Sequence, residues 1–140
     1  MERQDLKELH YITPIENVPS IMQHGILSYA RASTLQHQSV AMPEVQDRRA
    51  RVRVPGGRPL HEYANLYICC RNPMLYVRRY EPVCILAIST DVLQIPGTVI
   101  TDSNESSEYV RFAAAPQGLR IVDQERTFAA DWRHPDRIEY

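Results

Sequence analysis

Three short motifs in the middle of the chain decide the fold: Leu60-His61-Glu62-Tyr63, Asn65-Leu66-Tyr67-Ile68-Cys69-Cys70 and Pro73-Met74-Leu75-Tyr76. The second motif is a run of apolar and β-prone residues, which predicts a buried strand. The third opens on a proline, which suits the first turn of a helix, and predicts a helical turn that continues to Tyr80. Strand and helix therefore alternate over a short stretch, as is typical of a mixed domain.

The sequence on either side of these motifs extends the same mixture. Strands are predicted over residues 9–13, 83–89 and 99–101, and the apolar run of 83–89 gives the strongest signal. At 140 residues the chain has the size of one domain and can bury a core of its own. We therefore predict a single α+β domain, with short central strands and surrounding helices.

Helices are predicted on both sides of the central motifs. One spans residues 18–24, with Asn17 as its N-cap, Gly25 as its end, and an apolar face made of Val18, Ile21 and Met22. Another is predicted to begin at Ser106 or Ser107 and to carry Tyr109, Val110 and Phe112.

Arginines are concentrated just before the central motifs. Residues 46–58 read Gln46-Asp47-Arg48-Arg49-Ala50-Arg51-Val52-Arg53-Val54-Pro55-Gly56-Gly57-Arg58, without the period of a helix or a strand. Guanidinium groups bind phosphates in a bidentate manner, and glycines and aromatic residues between them are typical of loops that contact phosphates and bases. We interpret residues 28–59 as a long, partly helical and functional excursion.

Composition limits the class of protein. The net charge is −1, so the positive field of the arginine stretch is local and the chain as a whole does not attract polyanions. Three cysteines, an odd number within apolar segments, favour buried free thiols in a reducing compartment, and their spacing does not predict a metal site. The polar N-terminus does not resemble a signal peptide, so we expect a cytoplasmic protein.

Taken in order, these segments resemble the DarT family of toxins. The resemblance rests on Tyr11-Ile12-Thr13 with Ile15 to Leu27, on Arg48 to Pro55, on the motifs from Leu60 to Tyr76, and on Thr101-Asp102-Ser103. It implies an ADP-ribosyltransferase fold and the NAD-dependent transfer of ADP-ribose to bases of single-stranded DNA. It also implies a macrodomain antitoxin that removes the modification, as part of a toxin–antitoxin system.

The resemblance also assigns residues to the NAD site. It places Tyr11, Ile12 and Thr13 at a strand edge that exchanges hydrogen bonds with the nicotinamide amide, and Ser20 and Ser28 along the remainder of the site. Arg49 corresponds to the family arginine that contacts NAD and orients the target base, and it is the candidate catalytic residue. From the residues alone, the favoured interpretation of Tyr11 to Thr13 is simply a β-prone strand, and the two serines are ordinary capping or solvent residues.

A second group of residues is assigned to nucleic acid. Arg48 is expected to pair with phosphate, Arg51, Arg53 and Arg58 to follow a DNA backbone, and Tyr76 to offer a stacking surface. A solvated charged loop is the alternative for Arg51, Arg53 and Arg58.

Three further central residues have simpler interpretations. His61 is expected to form structural hydrogen bonds that fix the loop to the core. A general base would be accompanied by a nucleophile, and none accompanies His61. Met74 and Leu75 are expected to pack in the core.

Two departures from the family pattern bear on activity. The catalytic glutamate that the family carries on a strand beyond an Asp-Pro-rich bend has no counterpart within these 140 residues, and Glu139 does not replace it. Asn104 stands where many members have a DNA-binding histidine. We therefore expect the C-terminal part of the domain to be missing, NAD to bind weakly or not at all, and catalysis to be impaired. The alternative function is a non-catalytic module that binds nucleic acid or a partner protein.

Overall fold

A computed structural model of the chain describes residues 1–33, 49–71, 73–102 and 110–128. Four strands lie in this part of the chain: β1 (Leu9–Pro14), β2 (Val83–Ile88), β3 (Val99–Thr101) and β4 (Phe112–Ala114). The α-helices are α1 (Val18–His24), α2 (Tyr29–Ala32), α3 (Pro73–Val77) and α4 (Gln124–Thr127). Single 3-10 turns connect them, at Arg3–Asp5, Ile15–Asn17, Leu60–Glu62, Thr90–Gln94 and Gln117–Ile121.

The strands form two small antiparallel sheets. β1 pairs with β2 from Leu9 opposite Ile88 to Pro14 opposite Val83, and the ladder continues where the Ile15 N–H donates to the Pro82 carbonyl at 3.0 Å. β3 pairs with β4, from Val99 opposite Ala114 to Thr101 opposite Phe112. Mixed helices and short strands confirm the α+β class that the sequence predicts.

The main core lies between the two sheets and the N-terminal segment. It is an aliphatic cluster made of Leu6, Leu9, Leu93, Ile100, Leu119 and Val122. The terminal ammonium of Met1 donates to the Val122 carbonyl at 3.1 Å and ties the start of the chain to this cluster. Ile12, Val54 and Leu60 are equally buried but lie outside the cluster, and they belong to the part of the fold that carries the candidate site.

Helix α1 begins and ends where the sequence predicts. Pro19 occupies its first turn, where a missing N–H costs little, and Gly25 ends it with a φ of 80°, a backbone conformation that favours glycine. Asn17 is the N-cap residue by position, but its side chain makes no capping hydrogen bond. The prediction for Met22 was wrong, because its side chain is 79% exposed and does not pack.

Three other predictions need correction. Residues 65–70 do not form a strand, because only Tyr67 pairs, through a single bridge to His10. Phe112 lies in β4 opposite Thr101 and not in a helix, whereas the predicted helix start at Ser106 or Ser107, and Tyr109, lie outside the described residues. The three cysteines form no disulfide, and they are half-buried instead of buried as the sequence predicts.

Candidate functional site

The two edges of β1 have different hydrogen-bond partners. In an antiparallel ladder the N–H and C=O groups of alternate residues point to opposite edges. His10 uses the edge away from β2, where its N–H and C=O exchange two hydrogen bonds of 2.8 Å with Tyr67. The backbone of Ile12 points to the same edge, beyond that bridge. Within the described residues, the backbone bonds at this edge are those of His10, so Ile12 offers a donor and an acceptor there.

The imidazole of His10 fixes this arrangement. Its Nδ1 lies 3.1 Å from the Ile68 carbonyl, so Nδ1 is the donor, because a carbonyl can only accept. Two backbone bonds and one side-chain bond thus anchor β1 to the segment that follows the Leu60–Tyr63 motif.

Of the two side chains next to Ile12 in the chain, that of Thr13 is buried and that of Tyr11 is half-buried. Thr13 is only 2% exposed, and its hydroxyl has a long contact of 3.4 Å with the carbonyl of Pro14. Burial raises the pKa of Tyr11 above its ordinary value, so its phenol stays protonated and remains a donor near neutral pH. A buried hydroxyl with a poor internal bond next to an available strand edge is suited to an amide-bearing ligand.

The two predicted serines occupy different positions. Ser20 lies in α1 and is half-buried. Ser28 is 6% exposed and is the N-cap of α2, with its Oγ accepting a hydrogen bond from the Arg31 N–H at 3.3 Å. The capping role that the sequence allows for Ser28 is therefore present, and it places Tyr29 at the first position of the helix.

Arg49 lies close to His61, and His61 in turn contacts Tyr29. The Nε atom of Arg49 is shielded from solvent, and the positive charge of its guanidinium disfavours protonation of His61. The His61 ring stacks on Tyr29, with centroids 4.2 Å apart and planes at 33°. Burial and then the charge of Arg49 lower the pKa of His61, so His61 is neutral at pH 7. We call Arg49, His61 and Tyr29 the arginine–aromatic cluster.

The rest of the arginine stretch forms a compact turn. The Leu60 N–H donates to the Val52 carbonyl and the Val54 N–H to the Arg58 carbonyl, both at 3.0 Å, while the side chains of Val54 and Leu60 are buried. A Cβ on Gly57 would lie 2.5 Å from the Tyr63 hydroxyl, which in turn accepts a hydrogen bond from the Arg58 N–H. The turn is therefore held by backbone bonds and by a ring from the central motif.

This turn directs three predicted arginines outward: Arg51, Arg53 and Arg58 are all exposed. Arg58 has an acidic neighbour, since its guanidinium lies 3.9 Å from the Glu62 carboxylate. Exposed guanidinium groups on a fixed turn can follow a phosphate backbone, and they are equally compatible with the solvated loop.

Tyr76 lies at the end of α3 and is 57% exposed, so it does not belong to the core. The Arg79 guanidinium lies over its ring at 3.9 Å. Sequence reasoning missed Arg79 and Tyr80, although their spacing of three and four residues from Tyr76 after a helix predicts neighbouring side chains. It also missed the contact between Tyr29 and His61, which no local pattern indicates.

The structure thus brings some of the predicted residues together. Tyr11, Ile12 and Thr13 share β1, and the 60–71 segment joins that strand through Tyr67 and the arginine–aromatic cluster through His61. His61 contacts Tyr29 through its ring, and its predicted hydrogen-bonding role in fixing the loop to the core stays a prediction. Arg48, Asn104 and Glu139 lie outside the described residues.

Among residues 1–33, 49–71, 73–102 and 110–128, no three His, Cys, Asp or Glu side chains are grouped to hold a metal ion. In the same ranges, no helix has the length and apolar character needed to cross a membrane.

Comparison with known proteins gives consistent matches. The family model described as "ssDNA thymidine ADP-ribosyltransferase, DarT" matches residues 10–139. A "DNA ADP-ribosyl transferase-DNA ADP-ribosyl glycohydrolase fusion protein" of Thermosipho africanus is 39% identical over 112 residues, which cover 72% of this chain and 28% of the fusion protein. The chain therefore spans less than a third of that relative.

Solved structures agree with the sequence matches. DarT of Thermus sp. 2.9 in complex with ADP-ribosylated ssDNA superposes with a TM-score of 0.80 at 30% identity, covering 96% of this chain and 72% of the other. The same Thermus protein in complex with NAD+ gives a TM-score of 0.72 at 28% identity, with 91% and 67% covered.

Proposed function

Since this chain belongs to the DarT family of ssDNA thymidine ADP-ribosyltransferases, we propose that it acts in the NAD-dependent transfer of ADP-ribose to thymidine in single-stranded DNA. The solved relatives bind NAD+ and ADP-ribosylated ssDNA, and both ligands are proposed here for this chain. The observation that carries the proposal is the edge of β1 at Ile12, whose backbone N–H and C=O have no backbone partner there among the described residues, beside the buried hydroxyl of Thr13.

The residues present fit a nicotinamide amide. An amide needs one acceptor and one donor, and the C=O and N–H of Ile12 supply them on one edge. The Thr13 hydroxyl can exchange its long contact with Pro14 for a better one. When bound, NAD supplies the ADP-ribosyl group, whose release passes through a transition state with positive charge on the sugar.

Arg49 is proposed to contact both NAD and the target base. Arginine stays protonated in proteins, so it cannot serve as the base that removes a proton. Its guanidinium can stabilise negative charge on phosphate, or on a base nitrogen that is losing its proton. The neutral state of His61 keeps a second positive charge out of the arginine–aromatic cluster.

Arg51, Arg53 and Arg58 are proposed to contact the DNA backbone, with Arg48 beside them in the sequence. Their affinity for phosphate is sequence-independent, so the choice of thymidine would fall to the site around Arg49. The cytoplasm, where NAD and DNA are both available, is the proposed location.

A partner of opposite activity is proposed as well. In the Thermosipho protein a transferase and a DNA ADP-ribosyl glycohydrolase are fused in one chain. A glycohydrolase of macrodomain type that removes ADP-ribose from DNA would act as antitoxin to this chain.

The test separates binding from transfer. Saturation-transfer NMR, which detects weak ligands, is expected to show contacts of the nicotinamide protons of NAD with the protein. Mass spectrometry then follows a thymine-containing oligonucleotide with and without NAD, beside an oligonucleotide in which cytosine replaces each thymine. Absence of both the NMR signal and the mass increase would contradict the proposal.

A further inference from the structure

An exposed cluster of one arginine and two tyrosines follows helix α3. The Arg79 guanidinium carbon lies 3.9 Å from the centre of the Tyr76 ring and 4.8 Å from the centre of the Tyr80 ring. Tyr76 is 57% exposed and Tyr80 is 89% exposed. We call these three residues the tyrosine–arginine platform.

A hydrogen bond between two of its own residues holds the platform in place. Arg79 Nη1 donates to the Tyr76 carbonyl at 2.6 Å, which fixes the guanidinium at the end of the helix. The neighbouring Arg78 is different, because it pairs with Glu81 at 3.1 Å. None of the ion pairs within the described ranges involves Arg79, so its charge is not offset by a carboxylate there.

The position of the platform relates it to the proposed NAD site. The turn after Tyr80 joins the end of the β1–β2 ladder, where the Pro82 carbonyl accepts from Ile15 and Val83 pairs with Pro14. Thr13 lies at this same end of β1. The platform therefore adjoins the end of the strand that carries the proposed NAD contacts.

An exposed ring with an adjacent cation suits one class of ligand. Nucleobases stack on aromatic faces and on guanidinium planes regardless of sequence, and the cation attracts the phosphate between two bases. A protein partner would need a wider apolar surface, whereas this cluster carries net positive charge.

We propose that Tyr76, Arg79 and Tyr80 form a stacking site for bases of single-stranded DNA that flank the reacting nucleotide. This inference rests on the proposed function and extends the prediction for Tyr76 to two residues that the sequence analysis did not assign. Tyr80, the more exposed ring, would carry the outer base, and Arg79 would neutralise one phosphate.

The experiment measures the affinity of a fluorescein-labelled thymidine oligonucleotide by anisotropy at several salt concentrations. Tyr80→Ala is expected to weaken binding about 5- to 150-fold, as for loss of one base stack. Tyr80→Phe keeps the ring and is expected to bind within about twofold of the wild type, because stacking does not need the hydroxyl. Arg79→Gln is expected to reduce the slope of log affinity against log salt by about 0.7, one single-strand phosphate contact.

Met22→Ala is the matched control, because this side chain is 79% exposed on α1 and lies outside the platform. A direct readout comes from Tyr80→Trp, whose fluorescence is expected to be quenched by the oligonucleotide and not by an abasic strand of equal length. Wild-type affinity of Tyr80→Ala, or equal quenching by both strands, would overturn the platform while leaving the proposed function intact. Absence of DNA binding by the wild type would overturn both.

Discussion

The imidazole ring of His61 lies on the phenol ring of Tyr29, with centroids 4.2 Å apart, on the side of the fold where Arg49 is held. The contact joins the first residue of α2 to the central motif across the arginine-rich part of the sequence. The protonation state of His61 depends on the site, because the charge of Arg49 contributes to its lowered pKa.

We predict that His61 makes the fold less stable in acid. Its pKa is lowered in the folded state, by burial first and by Arg49 second, from about 6.5 when unfolded. Below that value the unfolded chain binds more protons at this residue, so stability falls as the pH drops through about 6.5 towards the lower folded pKa.

Urea unfolding of the wild type and His61→Phe at several pH values between 5 and 8 measures this effect. The substitution keeps a ring against Tyr29 and removes the titration, so the acid-induced loss should be smaller in the variant. His24→Phe, an exposed histidine on α1, serves as the control. Equal losses in the wild type and His61→Phe would contradict the assignment.

Replacement of Arg49 should reduce NAD affinity. A charged hydrogen bond is worth about 1.5–3 kcal/mol, so Arg49→Ala is expected to weaken binding about 10- to 150-fold. Arg49→Lys keeps the charge but loses the planar fork, and should recover only part of the affinity. Saturation-transfer NMR titrations compare both with Arg120→Ala, an exposed arginine in the Gln117–Ile121 turn. Full NAD affinity in Arg49→Ala would remove this residue from the site.

The two serines should respond differently to alanine. Ser28→Ala removes the Oγ that caps α2, which costs about 1 kcal/mol of stability and loosens the position of Tyr29. Ser20→Ala lies within α1, where alanine is a good helix former, and is expected to change stability by less than about 0.5 kcal/mol. Thermal unfolding measures both values. An NAD affinity that falls in Ser20→Ala at unchanged stability would support a ligand contact for Ser20.

The exposed arginines of the turn should govern the salt dependence of DNA binding. Each of Arg51→Gln, Arg53→Gln and Arg58→Gln is expected to reduce the salt slope by about 0.7, if each meets one phosphate. The Glu62 carboxylate competes with DNA phosphate for the Arg58 guanidinium, so Glu62→Gln should strengthen DNA binding. Arg78→Gln, whose arginine pairs with Glu81, is the matched control. Unchanged slopes in all three variants would favour the solvated loop.

The sequence predicted the local elements well where one signal sufficed. Pro19 in the first turn and Gly25 after the last residue mark the two ends of α1. The β-prone runs at β1, β2 and β3 are strands because each pairs with a neighbouring strand. The apolar run over residues 65–70 has the same composition, but a strand needs a ladder, and only Tyr67 meets one. Composition therefore predicted a buried, paired strand, whereas these residues are half-buried and pair only at Tyr67.

Prediction of the site was limited by long-range contacts. The direction of the Ile12 N–H and C=O follows from alternation along β1. Whether these groups are available for a ligand depends on how far the segment around Tyr67 pairs along the edge of β1 away from β2. Phe112 was assigned to a helix because the cap-like serines before it suggested one, whereas its pairing with Thr101 decides the outcome. Tyr80 needed only the spacing from Tyr76, so the platform was accessible to sequence reasoning.

The close approach of β4 to the following 3-10 turn gives a prediction on stability alone. Gly118 is buried, and a Cβ there would lie 2.7 Å from the Ala113 Cβ, 2.9 Å from its carbonyl carbon and 3.0 Å from its oxygen. Because two of these atoms are backbone, Gly118→Ala must move β4 away from the turn, at a cost of about 1–3 kcal/mol. Gln117→Ala, an exposed neighbour in the same turn, should change stability by less than about 0.5 kcal/mol. Urea unfolding compares the two, and a wild-type midpoint for Gly118→Ala would show that the strand and the turn are not packed as described.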